Sequence, residues 1–351
     1  MHTNNVKLVV ILVGLLFVTA FITGYSGSVA AESYVHYDSG KQTWTILPTG
    51  SDDTANIQYA FDNAVPGDMV YLSAGQFYCT HLDVENFHGT FKGTGPTTTI
   101  DVISGGPFIY DYYIPYGLQW NYFIRFVYGD FSICDLRFDI TPLNPADPWN
   151  WFGYQTSIGD ILFIDGSNVN AHIERVEFRA HEGTMNGRNV AEAIAFWSGN
   201  VYEYVSGSLT VSHCSFENVD VGILAERVAY SEISIVHNTI TDGSIGVLIS
   251  EGYNCEILIH SNEFTDMSDS ALYNQLTDNT VFKNNHIKGS GQAGIMISYS
   301  TDCLVLGNNL VHFDATLVDI LLFYGTSQCT VVLGSTDSLL DWGIDNIILG
   351  G

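Results

Sequence analysis

Positive charge is scarce in this chain of 351 residues: 11 Lys and Arg stand against 38 Asp and Glu, a formal net charge of −27. A surface of that sign excludes general binding to nucleic acid or anionic membrane, and a polyanionic ligand would be repelled unless a local basic patch or bound cations intervened. Charged residues amount to only 14%, whereas hydrophobic residues reach 46% and aromatics 13%, which excludes a disordered chain and supplies a packed core. Long apolar runs are lacking beyond the N-terminus, so no later segment reads as a membrane span. With 34 Gly, the composition suits many short strands and tight turns. The acidity reads as a means of solubility, tolerable where salt screens self-repulsion, with acids gathered for Ca²⁺ as the alternative.

The N-terminal stretch from Met1 to Ala31 differs from the rest. Lys7 supplies a positive charge, Leu8 to Ile22 is almost wholly apolar, and Val29-Ala30-Ala31 closes the stretch with small residues. This is the pattern of a secretory signal peptide cut near Ala31; the alternative is an uncleaved anchor, for which an apolar run of about 15 residues is short. The expected product is secreted or held on the extracellular surface. Positions 32–47 read as a lead-in and 48–351 as the folded body, with loop-rich coils over 105–200 and regular ones over 205–351.

The body is defined by a repeat. Val211–Phe216, Ile235–Ile240, Ile259–Phe264, Phe282–Ile287 and Val305–Leu310 share one register, and the column Cys214, Asn238, Asn262, Asn285, Asn308 recurs at a nearly constant step. Phe216, Ile240, Phe264, Ile287 and Leu310 step identically. A small residue and a second apolar run follow in four repeats, as in Gly222-Ile223-Leu224 and Gly246-Val247-Leu248. One period therefore holds at least two short strands. It cannot bury their apolar faces alone, so successive periods must stack on a shared core. Parallel stacking at about 4.8 Å turns a sequence column into a physical ladder, in which an Asn amide donates to one coil and accepts from the next. Six Cys in such a framework read as stacked, partly buried thiols, with Cys303 and Cys329 on adjacent coils the one pair placed to bridge.

These residues resemble the right-handed parallel β-helix repeats of the pectin-lyase-like superfamily, in which an Ile-x-x-Asn-x-Ile pattern followed by Gly-Ile is common. Gly50 to Phe61, followed by Pro66 to Phe77, looks like the opening of the same superfamily: a short capping helix, then a first strand. The helix also follows from the residues, since Asp52 and Asp53 suit a helix start, Ile57, Ala60, Phe61 and Ala64 share a face, and Pro66-Gly67 stops it. The expected fold is thus all-β, a right-handed parallel β-helix solenoid with a short N-terminal capping helix.

Chemistry is expected between 105 and 200, where the register loosens and long loops enter. Four of the six Trp and five of the six Arg fall there. Trp149, Trp151 and Tyr154, with Arg188 and Trp197, form a candidate sugar-binding set; the alternative is an apolar lid pinning the loop to the scaffold. Arg179, His181 and Glu182 form a candidate catalytic set, a His beside a carboxylate with a cation nearby. It resembles the Asp-Pro-His-Glu motif of mannuronan epimerases only at His-Glu, with Arg179 and Ala180 replacing Asp and Pro. A two-carboxylate pool of Asp160, Asp165, Glu177, Glu182 and Glu192 is the further option. The arginines also read as partners for neighbouring acids.

Other signatures fail. The Gly-His-Gly and Arg-Ile-Lys of polygalacturonase-like hydrolases and the Trp-Ile-Asp-His type of segment seen in pectate lyases are absent. His213 and His237 occupy one column, but it continues as Ser261, Asn284 and Gly307, which supply no third strong metal ligand, so no metal site is assigned. Turn aspartates such as Asp242, Asp266 and Asp278 leave a weak Ca²⁺ site as the one cofactor to consider. The sequence therefore favours an exported protein that binds a polysaccharide or glycan without catalysis, as a surface or envelope protein. The alternative is a polysaccharide lyase, glycoside hydrolase or epimerase.

Overall fold

The computed structural model describes residues 34–350 apart from 104–107, 111–118, 142–157, 182–189, 199–202, 312–317 and 336. The chain is a right-handed parallel β-helix. Each coil passes through three strands in succession, one more than the repeat reading required. Sheet one stacks 82–85, 122–127, Ile158–Asp165, Val190–Trp197, 221–226 and onward to Leu339–Asp341. Sheet two runs from Thr43–Ile46 through 130–134 and 169–174 to Ile347–Gly350. Sheet three runs from Gly75–Cys79 through Thr98–Val102, 137–140 and 176–180 to Asn309–Val311. Thr43–Ile46 lies in the segment read as a lead-in, yet it pairs in parallel with Met69–Leu72 while closing an antiparallel hairpin with Val35–Asp38.

The third strand was hidden because Val211–Phe216 reads as one run. In the structure it breaks at His213, whose φ of 54° turns the chain from sheet two to sheet three. The same corner carries a left-handed residue in seven successive coils: Asp135, Arg175, His213, His237, Ser261, Asn284 and Gly307, with φ between 52° and 65°. Each non-Gly residue there is held against its preference, and the next column supplies part of what holds it. Asn262 is 1% exposed. Its Oδ1 accepts from the backbone N and Nδ2 of Asn238, while its Nδ2 donates to the Ile235 carbonyl and to Asn285 Oδ1, all within 2.8–3.1 Å. The pattern repeats at Asn238, Asn285 and Asn308. One amide thereby satisfies turn groups on both flanking coils that burial would otherwise leave unpaired.

Inside sheet three the apolar column is filled by stacked rings. Phe138 lies over Phe178 at 5.3 Å and 19°, and Phe178 over Phe216 at 4.9 Å and 4°. Ile240, Phe264, Ile287 and Leu310 continue the column, all buried. Helix α1 (Thr54–Asn63) closes the N-terminal end with Ile57, Ala60 and Phe61 buried against the first coils. Asp52 accepts from Thr54 N at 2.9 Å, while Asp53 instead ties the helix start to Thr49 N and Tyr78 N. All six cysteines are free thiols, and Cys303 N donates to Cys329 Sγ at 3.4 Å. The long insertions around 104–118, 142–157 and 182–189 all enter the chain between a sheet-three strand and the next sheet-one strand.

Candidate functional site

Sheet one has an unusual alternation. In Val190–Trp197, Ala193, Ile194 and Phe196 join the main core, whereas Ala195 and Trp197 join a second apolar cluster on the outside of the coil. That outer cluster comprises Tyr122, Phe163, Ala195, Trp197, Val221 and Leu224, each at most 9% exposed. Phe163 contacts Tyr122 at 5.9 Å and Trp197 at 5.4 Å between ring centroids. The outer face of a solenoid is ordinarily wet, so a buried apolar outer face sets this stretch of sheet one apart.

Two carboxyls lie within it. Register places Asp160 on Tyr122 and Glu192 on Asp160, one coil apart each time, in the column that Val221 continues. Asp160 is 0% and Glu192 9% exposed. The two share a hydrogen bond; burial first, then the charge of Asp160, pushes the Glu192 carboxyl well above its ordinary value of 4.5. Glu226 and Asp220 act in the same direction. Glu192 therefore holds its proton more tightly than an ordinary carboxylic acid, the direction expected where two adjacent carboxyls cannot both ionise freely.

Two guanidinium groups lie further along sheet one, Arg125 level with Phe163 and Arg227 just beyond the Trp197–Glu226 pair. Arg125 reaches Asp165 at 3.3 Å and lies 5.8 Å from the Phe163 ring centroid. Arg227 lies 5.8 Å from the Trp197 ring centroid and 3.8 Å from both Glu226 and Glu251. Tyr122 donates to Asp83 at 2.6 Å, and burial followed by that carboxylate raises its phenol, so it stays protonated. Among the described residues, Arg125 Nε, Glu192 Oε2, Trp197 Nε1 and Arg227 Nη1 are buried on this face without a hydrogen-bond partner. Leaving such atoms unpaired costs about 1–3 kcal/mol each. Spread along one face of sheet one, they leave both donors and an acceptor without partners there.

The residues singled out from sequence are distributed otherwise. Arg179 and His181 lie on the outside of sheet three, half exposed, with Arg179 3.3 Å from Glu217 and His181 2.8 Å from Asp139. Glu182, Trp149, Trp151, Tyr154 and Arg188 lie outside the described residues. Trp197 stands in the buried outer cluster on sheet one. Of the carboxylate pool, Asp160 and Glu192 meet, Asp165 binds Arg125, and Glu177 binds Arg137 at 2.6 Å on sheet three. The four described central arginines, 125, 137, 175 and 179, each pair with an acid. His213 and His237 stack at 5.2 Å and 14° as turn residues. Among the described residues no three His, Cys, Asp or Glu gather in a way that could hold a metal ion.

What sequence reasoning missed was the pairing of Asp160 with Glu192. A signal existed, because Asp160-Ile161-Leu162 and Glu192-Ala193-Ile194 take the position of Val221-Gly222-Ile223, placing an acid where later coils carry Val221, Ile245, Ser270 and Ala293. The longer and unequal steps from Asp160 to Glu192 and from Glu192 to Val221 concealed it.

A family model described as right-handed beta helix region matches residues 199–332. No curated protein matches the chain significantly. Among solved structures, the A-module of a mannuronan C-5 epimerase from Azotobacter vinelandii is 17% identical, with 86% of this chain and 92% of that one covered and a TM-score of 0.43. The Dettilon tailspike protein is 14% identical over 82% of this chain and 54% of its own, at 0.46. A mannuronic-acid-specific polysaccharide lyase of family 6 from human gut microbiota is 11% identical over 88% and 83%, at 0.38. At these identities the likeness is one of fold. Among the described residues no helix is long and apolar enough to cross a membrane.

Proposed function

We propose, starting from a right-handed parallel β-helix of the pectin-lyase-like kind with a buried carboxyl pair on its outer face, that the chain is an exported polysaccharide-active enzyme of the lyase or epimerase kind. The observation that carries this is the buried, hydrogen-bonded carboxyl pair of Glu192 and Asp160. Two carboxyls buried against each other destabilise the fold, and such pairs are retained where proton transfer needs them. The sequence alone leans toward a non-catalytic protein, because it shows no catalytic motif; the pair supplies the chemistry the motifs did not.

Hydrogen-bonded carboxyls stand closer than the roughly 5–5.5 Å or 6.5–9.5 Å that glycoside hydrolases place between theirs. The geometry therefore favours proton abstraction beside a sugar carboxylate over attack by water or a carboxylate. Ionised Asp160 takes the proton from the carbon next to that carboxylate. The electron pair left behind spreads onto the carboxylate, for which Arg125 Nε is a candidate donor. In elimination that pair then expels the oxygen on the neighbouring carbon, which leaves with the proton of Glu192. In epimerisation a proton from water is delivered to the opposite face instead, and Asp160 releases to solvent the one it took. Neutral Glu192 also spares an acidic sugar further repulsion in an acidic groove.

The test is incubation of the chain beginning at Glu32 with alginate, polygalacturonate and neutral polysaccharides. Unsaturated ends are followed by ultraviolet absorbance, reducing ends chemically, and inversion by NMR. Glu192→Gln and Asp160→Asn are expected to lower the rate by about 10²–10⁴ with unchanged circular dichroism. Inertness toward every acidic polysaccharide, or a fully active Glu192→Gln variant, would sink the proposal.

A further inference from the structure

The cysteines differ in what lies beside them on the adjacent coils. Cys79 is level with Val102, and Cys134 lies between Lys92 and Glu174. Cys303 and Cys329 lie beside each other: Thr301 pairs with Ser327 and Leu304 with Thr330, which brings the two cysteines between them into register. Both are buried, at 1% and 0% exposed. Each thiol stands 3.5 Å from the carbonyl two residues back, that of Thr301 or Ser327, so the two side chains leave the backbone in the same direction, one above the other. Cys303 N donates to Cys329 Sγ at 3.4 Å, and the thiols share a hydrogen bond. A coil spacing of about 4.8 Å falls within the roughly 4.4–6.8 Å between Cα atoms that a disulfide spans. Asn274 Nδ2, 3.6 Å from Cys303 Sγ, also donates to Thr277 O at 2.8 Å and Ser300 Oγ at 3.1 Å. Turning the Cys303 sulfur toward Cys329 therefore leaves no buried donor unpaired.

The pair also sits where the solenoid has least support. At the N-terminal end helix α1 covers the first coils. Near the other end, Cys329 opens the coil whose strand Thr330–Leu333 carries Ile347–Gly350, exposed along its whole length. Ile348 continues a column in which Val331 is 0% exposed, yet is itself 37% exposed. Terminal repeats of a solenoid share fewer interfaces and open before the middle does. A covalent link from Cys303 to Cys329 ties this coil to the one before it.

We infer that Cys303 and Cys329 are a site of covalent modification, a disulfide that staples the C-terminal coils, of which the free thiols are the reduced state. Export, as proposed above, delivers the pair to an oxidising compartment. As the S–S bond forms, the two thiols lose two protons and two electrons. A small-molecule disulfide such as oxidised glutathione accepts them, its own S–S bond breaking into two thiols. One sulfur of the chain first displaces half of the oxidant to give a mixed disulfide, and the second chain sulfur then displaces the other half. Both sulfurs are buried in the finished coil, so the exchange takes place while the terminal coils are open during folding. The inference is independent of the carboxyl pair and of any activity.

The chain beginning at Glu32 is unfolded in urea, refolded with either oxidised or reduced glutathione, freed of glutathione, and unfolded again without reductant for a thiol count. Six thiols are expected after reduced refolding, and two fewer after oxidised refolding. A non-reducing digest should yield one linked peptide pair containing Cys303 and Cys329. The linked chain should melt higher by roughly 5–10 °C, since the bridge joins cysteines 26 positions apart. Cys303→Ser should give the same thiol count and the same melting temperature from both refoldings, whereas Cys255→Ser should still lose two thiols to the oxidant. Cys329→Ala serves if Cys303→Ser fails to fold, and the linked peptide of the wild type needs neither. Six thiols from both refoldings, glutathione adducts in place of the linked pair, a link through any other cysteine, or a melting temperature that stays or falls on oxidation would overturn the inference.

Discussion

Replacing Glu192 by Gln isolates the proton that the buried pair holds. In the folded chain the Glu192 carboxyl lies well above its ordinary value of 4.5 through burial and the charge of Asp160. When a folded-state value is raised, the stability linked to it is fully present below the unfolded value and is lost as pH rises through the folded one. Between those limits the unfolded chain has released a proton that the folded chain retains. The stability of the wild type therefore falls with pH, by at most about 1.4 kcal/mol per unit for one proton. The amide of Glu192→Gln still donates to Asp160 and has no proton to lose, so this slope vanishes in the variant. Over two pH units above the ordinary carboxyl value the variant should gain about 2–3 kcal/mol on the wild type. Acids remote from Glu192 titrate alike in both chains and cancel in the difference, whereas Asp160, Glu226 and Asp220 interact with it directly. Urea unfolding followed by tryptophan fluorescence at intervals from pH 5 to pH 8 gives the two curves. If they run parallel across that range, Glu192 does not hold a proton in the folded state, and the proposed acid is lost with it. Asp160→Asn removes the second cause of the shift and should narrow the pH window of the slope.

Three further outcomes follow from the stacking. Asn262→Ala removes four buried side-chain hydrogen bonds and leaves the Ile235 carbonyl and Asn238 N unpaired, which should cost about 3–5 kcal/mol. Asn308→Ala loses three from a less buried site and should cost visibly less in the same denaturation series. Native titration with a thiol reagent should register only Cys134, slowly, since five of the six thiols are buried; all six should react after unfolding without reductant. Phe178→Ala, which opens the middle of the three-ring stack, should lower stability by about 3–5 kcal/mol in the same assay.

The regular coils were legible because their side chains do one job. Asn238, Asn262, Asn285 and Asn308 serve the same turn in each coil, so their spacing states the stacking directly. The helix at residues 54–63 could be read from its apolar face. The third strand could not, since a single left-handed residue such as His213 leaves no mark in an apolar pattern, and non-Gly residues occupy that position in six of seven coils. The carboxyl pair was obscured differently. Asp160 and Glu192 are neighbours only through the register of sheet one, and the insertions preceding each strand erase that register from the sequence. Arg179 and His181, two positions apart and conspicuous, proved to be partners of Glu217 and Asp139 on another face.

The entry of the insertions around 104–118, 142–157 and 182–189 at one corner has a consequence for how this protein can change. Register is fixed elsewhere, by the amide ladder and the stacked rings, so a turn at the sheet-three to sheet-one corner can lengthen, shorten or be exchanged while the strands on either side keep their partners. Phe138 still meets Phe178, and Ile133 still meets Ile173, across the excursion at 142–157. Selection can thus revise what borders the groove in one lineage after another without renegotiating the core, and the carboxyl pair would pass unchanged through each revision.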